Sequence, residues 1–318
     1  MILVTGATGF VGRHLVPRLV DTGWPVRVLA VPRRGRVRLP WPNLRVDVVQ
    51  GSIYNPEILE QAMRGVHTVF HLSSAQWWGS ARDLERVDVD GTRRVIRAAL
   101  SARIGRLVVL SHLGAASASA YALLRAKGQV EGLVRDSGLA YTIVRSGVLF
   151  GEQDTFVNAI AMLLRANPVF FFQPGQGEML LHPLYIHDLT AGLLQSLDNL
   201  DTVDRVLEVG GPEYITFNEL VSTVMRVTGA PRTIISVPPY ALRWTTQAIR
   251  RVLPRWPTTS QWFDLLASHR TTSLNSMYDT FGIKPVRFED TIVTYMRGRR
   301  YLPQLLRFLF RRRRPRGV

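Results

Sequence analysis

The sequence predicts an α/β protein: a doubly wound parallel sheet followed by a smaller α/β lobe. Three observations carry this expectation. Short β-branched runs recur through the first half of the 318 residues and alternate with amphipathic stretches. These runs are apolar on both faces and joined by long connections, which calls for parallel strands covered by helices on both sides. The first run ends in a glycine cluster that leads straight into a helical pattern.

In chain order, residues 2–5 read as the first strand, residues 6–12 as a glycine turn and residues 13–20 as a helix with one apolar side. Residues 26–31, 46–50, 68–72, 107–111 and 141–145 read as further strands. After Gly151 the rhythm loosens into proline-rich connections such as Gln173-Pro174-Gly175 and Pro238-Pro239, where a second lobe begins. Residues 184–211 again read as helix then strand, a return to the first lobe. The expected organisation is a first domain over 1–150 with a return segment 184–211, a smaller lobe over 151–183 and 212–296, and a basic amphipathic tail over 297–318.

The glycine turn carries the first chemical expectation. Gly6 suits the tight turn, Gly9 removes the Cβ that would block a pyrophosphate, and Gly12 lets the helix pack on the sheet. Strand, glycine turn and helix together form a Rossmann-type dinucleotide fingerprint. The second strand ends in Ala30-Val31-Pro32-Arg33-Arg34, without the acid that receives a ribose 2′-hydroxyl. NADP(H) is therefore expected over NAD(H), with Arg33 and Arg34 as candidate 2′-phosphate ligands, Arg13 as a further candidate, and solvated loop arginines as the alternative.

The order Thr5-Gly6-Ala7-Thr8-Gly9-Phe10-Val11-Gly12, Val69-Phe70-His71-Leu72, Val87-Asp88-Val89-Asp90-Gly91-Thr92, Tyr121 and Arg145-Ser146-Gly147-Val148-Leu149-Phe150-Gly151 resembles the extended and atypical short-chain dehydrogenases/reductases, including their epimerase/dehydratase relatives. Pro183-Leu184-Tyr185-Ile186-His187-Asp188-Leu189 and Leu207-Glu208-Val209-Gly210-Gly211-Pro212 are similar to the branch containing the nucleotide-binding accessory subunit of respiratory complex I and its bacterial homologues. The resemblance implies cofactor contacts at Gly6, Thr8, Gly9, Phe10, Val11, Gly12, Leu72 and Ser73. It also implies one at Ser52, which stands where relatives often carry an acid. The second lobe would then hold the substrate.

The same resemblance implies a tyrosine acid/base, a lysine four residues on and a hydroxyl partner. Tyr121 is present, but Arg125 stands at i+4, and Lys127 at i+6 would point about 120° away on a helix. Arginine supplies a fixed positive charge but cannot give up a proton. Ser111, at the end of the fifth strand, is the expected hydroxyl partner, with Ser117 and Ser119 as competitors and a structural strand-end serine as the alternative. The expected activity is that of an oxidoreductase or epimerase/dehydratase-like enzyme on a small carbonyl or hydroxyl substrate. The alternative is a catalytically silent nucleotide-binding structural or regulatory subunit of a membrane complex.

No cysteine is present, which excludes disulfides and thiolate metal sites. No metal site is expected, and His182, His187 and Asp188 read as structural. Trp77 and Trp78 read as lining an apolar substrate site or as packing.

The net charge of +16 is concentrated in residues 297–316, which hold nine arginines and no acid. Residues 301–310 are apolar between basic borders, and residues 240–253 set Trp244 among arginines. Both suggest an anionic membrane surface or a membrane protein complex as partner, against a solvated tail. Nucleic acid is not expected, because only two lysines accompany the arginines. With no export signal and no apolar run long enough to span a bilayer, the expected location is cytoplasmic, peripheral on the inner face of the membrane.

Overall fold

The computed structural model describes residues 1–32, 35–253 and 255–310. β1 (Ile2–Thr5) leads through the glycine turn into α1 (Phe10–Asp21). Then come β2 (Val26–Ala30), β3 (Asp47–Gln50), α2 (Pro56–Met63), β4 (Thr68–His71) and α3 (Ala81–Leu84). A π-helical turn over Glu85–Asp90 joins α3 to α4 (Gly91–Ser101), followed by β5 (Arg106–His112), α5 (Ala122–Arg135) and β6 (Tyr141–Ser146). Next are β7 (Leu149–Phe150), α6 (Val157–Ala166), β8 (Phe170–Pro174), β9 (Leu180–Leu181), β10 (Leu184–Tyr185), α7 (Ile186–Asp198) and β11 (Arg205–Val209). The remainder holds β12 (Ile215–Thr216), α8 (Phe217–Thr228), β13 (Thr233–Val237), α9 (Pro239–Val252), α10 (Ser260–Leu265), α11 (Ser276–Phe281), α12 (Phe288–Met296) and α13 (Tyr301–Phe310).

Seven strands form one sheet in the order β11-β6-β5-β4-β1-β2-β3. β1 pairs parallel with both β2 and β4, Ile2 lying beside Val26 on one side and Thr68 on the other. The β2–β3, β4–β5 and β5–β6 pairings are parallel too. The expected doubly wound α/β fold is borne out. Strand order reverses between β1 and β4, and ligands of such sheets bind in the crevice outside the carboxyl ends of the strands at that reversal. Leu3, Val4, Phe70, Leu107, Val108 and Ile143 are fully buried, as strands sandwiched between helices require.

Several boundaries shift by a residue or more, and two of these shifts have a direct physical reason. α1 begins at Phe10 rather than residue 13, because Gly9 is its N-cap and the first turn already runs through Phe10 and Val11. β5 begins at Arg106, a buried cation whose guanidinium donates to Thr142, to the Ser196 carbonyl and to Thr202. A charged residue inside a strand hides its start from an apolar pattern.

Among the described residues the chain divides into two compact units: Met1–Ser146 with Leu189–Glu208, and Gly147–Asp188 with Val209 through Phe310. The second unit carries three two-stranded sheets, β7–β10 and β8–β13 parallel and β9–β12 antiparallel. Its core is aromatic: Phe156 packs at a tilt against Trp262 with ring centroids 4.6 Å apart, and Phe150 meets Phe288 edge-on at 4.9 Å. α8 starts in a Thr216–Glu219 capping box and ends at left-handed Gly229.

Candidate functional site

The glycine turn sits where β1 delivers it, at the strand reversal. Gly6 has φ +69°, and a Cβ there would lie 2.6 Å from the Leu72 carbonyl carbon, so this position demands glycine twice over. Leu72 is tied to β1 by its amide, which donates to the Thr5 carbonyl at 3.1 Å. A Cβ on Gly12 would meet the Ala7 backbone at 2.6 Å, so the third glycine serves packing of helix on turn. Gly9 differs: a Cβ would approach only the Gly6 carbonyl oxygen, at 3.0 Å. No side chain caps the start of α1, whose first-turn amides are left to an anion. The cradle fits a diphosphate, with Thr8 exposed at its rim and Phe10 and Val11 half-buried beside it.

Ser52 follows β3, and its hydroxyl accepts from the Tyr54 amide at 3.3 Å. Ser73 is buried beside the Gly6 turn. Arg33 and Arg34 lie outside the described residues, as do Arg311 to Arg314.

The expected acid/base group is arranged differently from the sequence reading. Tyr121 is the extended residue before α5, not a member of the helix, so the shared-face argument for i and i+4 does not reach it. Arg125 turns back, its Nη1 donating to the Ser119 carbonyl at 2.8 Å and the Ala120 carbonyl at 3.3 Å. Ser111 is not a free strand-end hydroxyl. It is buried and donates to Glu131 Oε1 at 2.5 Å. Glu131 is fully buried and takes two further bonds from Arg145, at 2.9 and 2.6 Å, while Arg145 reaches Glu208 at 3.1 Å. The hydrogen bond with Glu131, foremost, raises the Arg145 pKa and keeps it charged.

The group that sequence reasoning set aside is Lys127. Its ammonium is buried on α5, 3.0 Å from Asp88 Oδ1 and 3.4 Å from the Ser74 hydroxyl. Asp88, on the π-helical turn, also accepts from Ser74 Oγ at 2.6 Å and from the Ala75 amide at 2.9 Å. The pair thereby fixes the segment that follows Leu72 and Ser73. Behind it, His71 bridges Thr5 Oγ1 at 2.7 Å and Thr92 Oγ1 at 3.1 Å. Burial, reinforced by the Lys127 charge, pushes the His71 pKa down to about 4 despite Asp88, so the ring is neutral at pH 7. The signal was the Val87-Asp88 motif already singled out together with one of only two lysines. No local period links positions 39 residues apart.

The remaining expectations fall on packing residues. His182 Nε2 is 2.6 Å from the Gly211 carbonyl oxygen, and its ring fills the space a Cβ on Gly210 would need. Asp188 accepts from the Val286 amide at 2.9 Å. Trp78 Nε1 donates to the Ser74 carbonyl at 3.2 Å. Among the described residues no group of His, Asp and Glu is placed to hold a metal, and no helix is long and apolar enough to cross a membrane.

Residues 6–163 match a family described as NAD(P)H-binding. The chain is 34% identical over 238 residues to (4-alkanoyl-5-oxo-2,5-dihydrofuran-3-yl)methyl phosphate reductase of Streptomyces griseus, covering 73% of this chain and 75% of that protein. Ceramide reductase of Caulobacter vibrioides is 29% identical over 245 residues, 75% of this chain and 74% of that protein. The mitochondrial NADH dehydrogenase (ubiquinone) 1 alpha subcomplex subunit 9 of Dictyostelium discoideum is 27% identical over 228 residues, 70% of this chain and 62% of that protein. In fold, the chain is similar to UDP-glucose 4-epimerase of Thermus thermophilus in complex with NAD, at a TM-score of 0.68 and 22% identity over 93% of this chain and 99% of that one. The chain belongs to the NAD(P)H-binding family with the Rossmann-type fold of the short-chain dehydrogenases/reductases, whose members include both reductases and a complex I subunit.

Proposed function

We propose that this protein is an NADP(H)-dependent reductase of a carbonyl compound, with Tyr121 as the proton donor. One observation carries the reading. Of the four polar groups around the start of α5, Ser111, Arg125 and Lys127 are committed to Glu131, to loop carbonyls and to Asp88, while the half-buried Tyr121 makes no hydrogen bond through its hydroxyl to a described residue. Reductases among the relatives support it.

In this reading Gly6, Gly9 and the first-turn amides of α1 bind the diphosphate, with Thr8, Phe10 and Val11 around it. Ser52 serves the adenosine end, and Leu72 and Ser73 line the far side of the turn. The bound dihydronicotinamide supplies a hydride. Tyr121 delivers a proton to the substrate oxygen and regains it from water. Arg125 is a positioning residue, holding the Ser119 and Ala120 carbonyls and hence the residue that follows them. Asp88 and Lys127 hold the Ser74–Ala75 segment, and Ser111 braces Glu131 rather than touching substrate. The second unit is the substrate lobe. The acid-free end of β2 supports NADP(H) over NAD(H), with Arg33 and Arg34 as phosphate ligands.

The test is NADPH oxidation against a panel of aldehydes, ketones and enones. Turnover with some carbonyl, lost in Tyr121→Phe and lowered in Arg125→Lys with cofactor affinity unchanged, is expected. NADPH binding without oxidation by any carbonyl would favour the second reading, a silent nucleotide-binding subunit, which the commitment of Ser111 and Lys127 to buried carboxylates also suits. Such a subunit would dock on a membrane or a membrane complex. The C-terminal helix α13 suits that role: Tyr301 and Leu305 are buried, whereas Leu302, Leu306 and Phe310, at i, i+4 and i+8, form an exposed stripe beside Arg307.

A further inference from the structure

α9 mixes cations into its inward side and turns two large aromatic rings outward. A helix on a protein surface normally turns its apolar stripe inward and its charges outward. In α9 the half-buried Leu242, Arg243, Ile249 and Arg250 flank the buried Thr246, so two cations share the inward side with the apolar residues. Arg243 donates to the buried Asp264 at 2.7 Å, Thr246 lies 3.2 Å from the Thr258 hydroxyl, and Arg250 donates to the Thr258 carbonyl at 3.3 Å. The opposite face presents Tyr240, 69% exposed, and Trp244, 76% exposed, one turn apart, with Arg251 and the 80% exposed Val252 beyond. Pro238 and Pro239 lead into this helix and Leu253, also exposed, leaves it.

The surrounding charge is one-sided. Residues 220–263 contain no aspartate or glutamate, but hold Arg226, Arg232, Arg243, Arg250, Arg251 and Arg255. A tryptophan and a tyrosine each offer an apolar ring with a polar tip, the chemistry suited to a headgroup boundary, and cations beside them suit anionic lipid. At 14 residues the helix is about 21 Å long, enough to lie along a surface but too short to span a bilayer.

We propose that α9 docks on an anionic lipid bilayer, lying in the headgroup plane with Tyr240, Trp244 and Val252 inserted and Arg251 at the phosphates. This contact depends on neither cofactor nor turnover, and it is separate from the C-terminal helix.

The experiment is cosedimentation of the full chain with phosphatidylglycerol vesicles and with phosphatidylcholine vesicles, at low and high salt. Alongside it, tryptophan emission is recorded for wild type and Trp244→Phe. Binding to the anionic vesicles, a blue shift missing in Trp244→Phe, and about tenfold or greater weakening in Tyr240→Ser/Trp244→Ser are expected. High salt should weaken the binding without removing it, since the rings insert. The triple variant Leu302→Ser/Leu306→Ser/Phe310→Ser should leave the Trp244 shift in place, which separates this contact from any made by α13. Unchanged NADPH affinity certifies that each variant is folded. Binding that ignores the Tyr240/Trp244 pair, binding equal on neutral vesicles, or no vesicle binding with a concentration-dependent dimer that buries Trp244 would each overturn the proposal.

Discussion

The two units meet the problem of buried polarity to different degrees. In the first, interior charges close on one another: Asp88 on Lys127, Glu131 on Arg145 and Ser111, His71 between two threonines. In the second, five side-chain atoms of the described residues are buried without a hydrogen-bond partner, Thr155 Oγ1, Gln173 Oε1, Thr259 Oγ1, Trp262 Nε1 and Tyr295 OH, against two in the first, Arg13 Nε and Gln129 Oε1. The surfaces differ in the same sense. Of the seventeen large hydrophobic side chains exposed among the described residues, only Trp24, Leu100 and Leu200 belong to the first unit. The first unit thus leaves fewer buried groups unmet and less apolar surface exposed. The second keeps unmet groups and apolar surface that a substrate or a partner surface would cover.

The comparison breaks most readily at the buried ion pair. Asp88→Asn or Lys127→Met leaves one uncompensated group inside the first unit, and each is expected to cost about 3–5 kcal/mol in chemical denaturation. The double variant should recover a large part of that loss. A single variant near wild-type stability would mean that the pair is not closed in solution.

A smaller effect separates the units by pH. His71 stays neutral down to about pH 4, whereas in the unfolded chain it takes up a proton below its ordinary 6.5, so the first unit loses stability as pH falls from 6.5 toward 4. Burial, partly offset by hydrogen bonds from the Phe156, Val157 and Asn158 amides, raises the Asp154 pKa to about 6. The unfolded chain releases that proton above 3.8, so Asp154 makes the second unit lose stability as pH rises from about 4 to 6. Each shift is worth roughly 3 kcal/mol. Hydrogen exchange followed from pH 4 to 6.5 should show opposite slopes in the two units, and Asp154→Asn should flatten the second. Parallel slopes would count against both assignments.

Smallest is Ser111→Ala, expected to cost about 1 kcal/mol because Arg145 still holds Glu131 through two bonds. Turnover should fall no more than a few-fold. A loss of several hundredfold in kcat would return Ser111 to the substrate.

Much of this contrast was legible in the sequence. All six expected strands of the first half fall within a residue of the observed ones at either end, because a strand buried on both faces is a contiguous apolar run. The glycine turn was legible for the same reason: its requirements are backbone requirements carried by Gly6 and Gly12. What escaped was side-chain pairing across distance. Tyr121 was placed on a helix that starts one residue later, so the angle assigned to Lys127 was measured from the wrong origin. Asp88 meets that lysine only because the π-helical turn and α5 pack together, which no local periodicity records. α9 was legible as a helix with Trp244 among arginines, but which of the two faces outward depends on Asp264 and Thr258, in segments further along the chain.

The central claim is that the first unit holds a nicotinamide dinucleotide at the glycine turn. The most direct measurement is calorimetric titration of wild type and Gly9→Val with NADPH and NADH. Gly9 is the glycine whose Cβ meets only one carbonyl oxygen, so valine should spare the fold while entering the diphosphate's space. Binding of NADPH by wild type, tighter than NADH, with at least about a hundredfold loss in Gly9→Val and a thermal midpoint within a few degrees of wild type, is the expected result. Equal NADPH affinity in the two proteins would contradict the site.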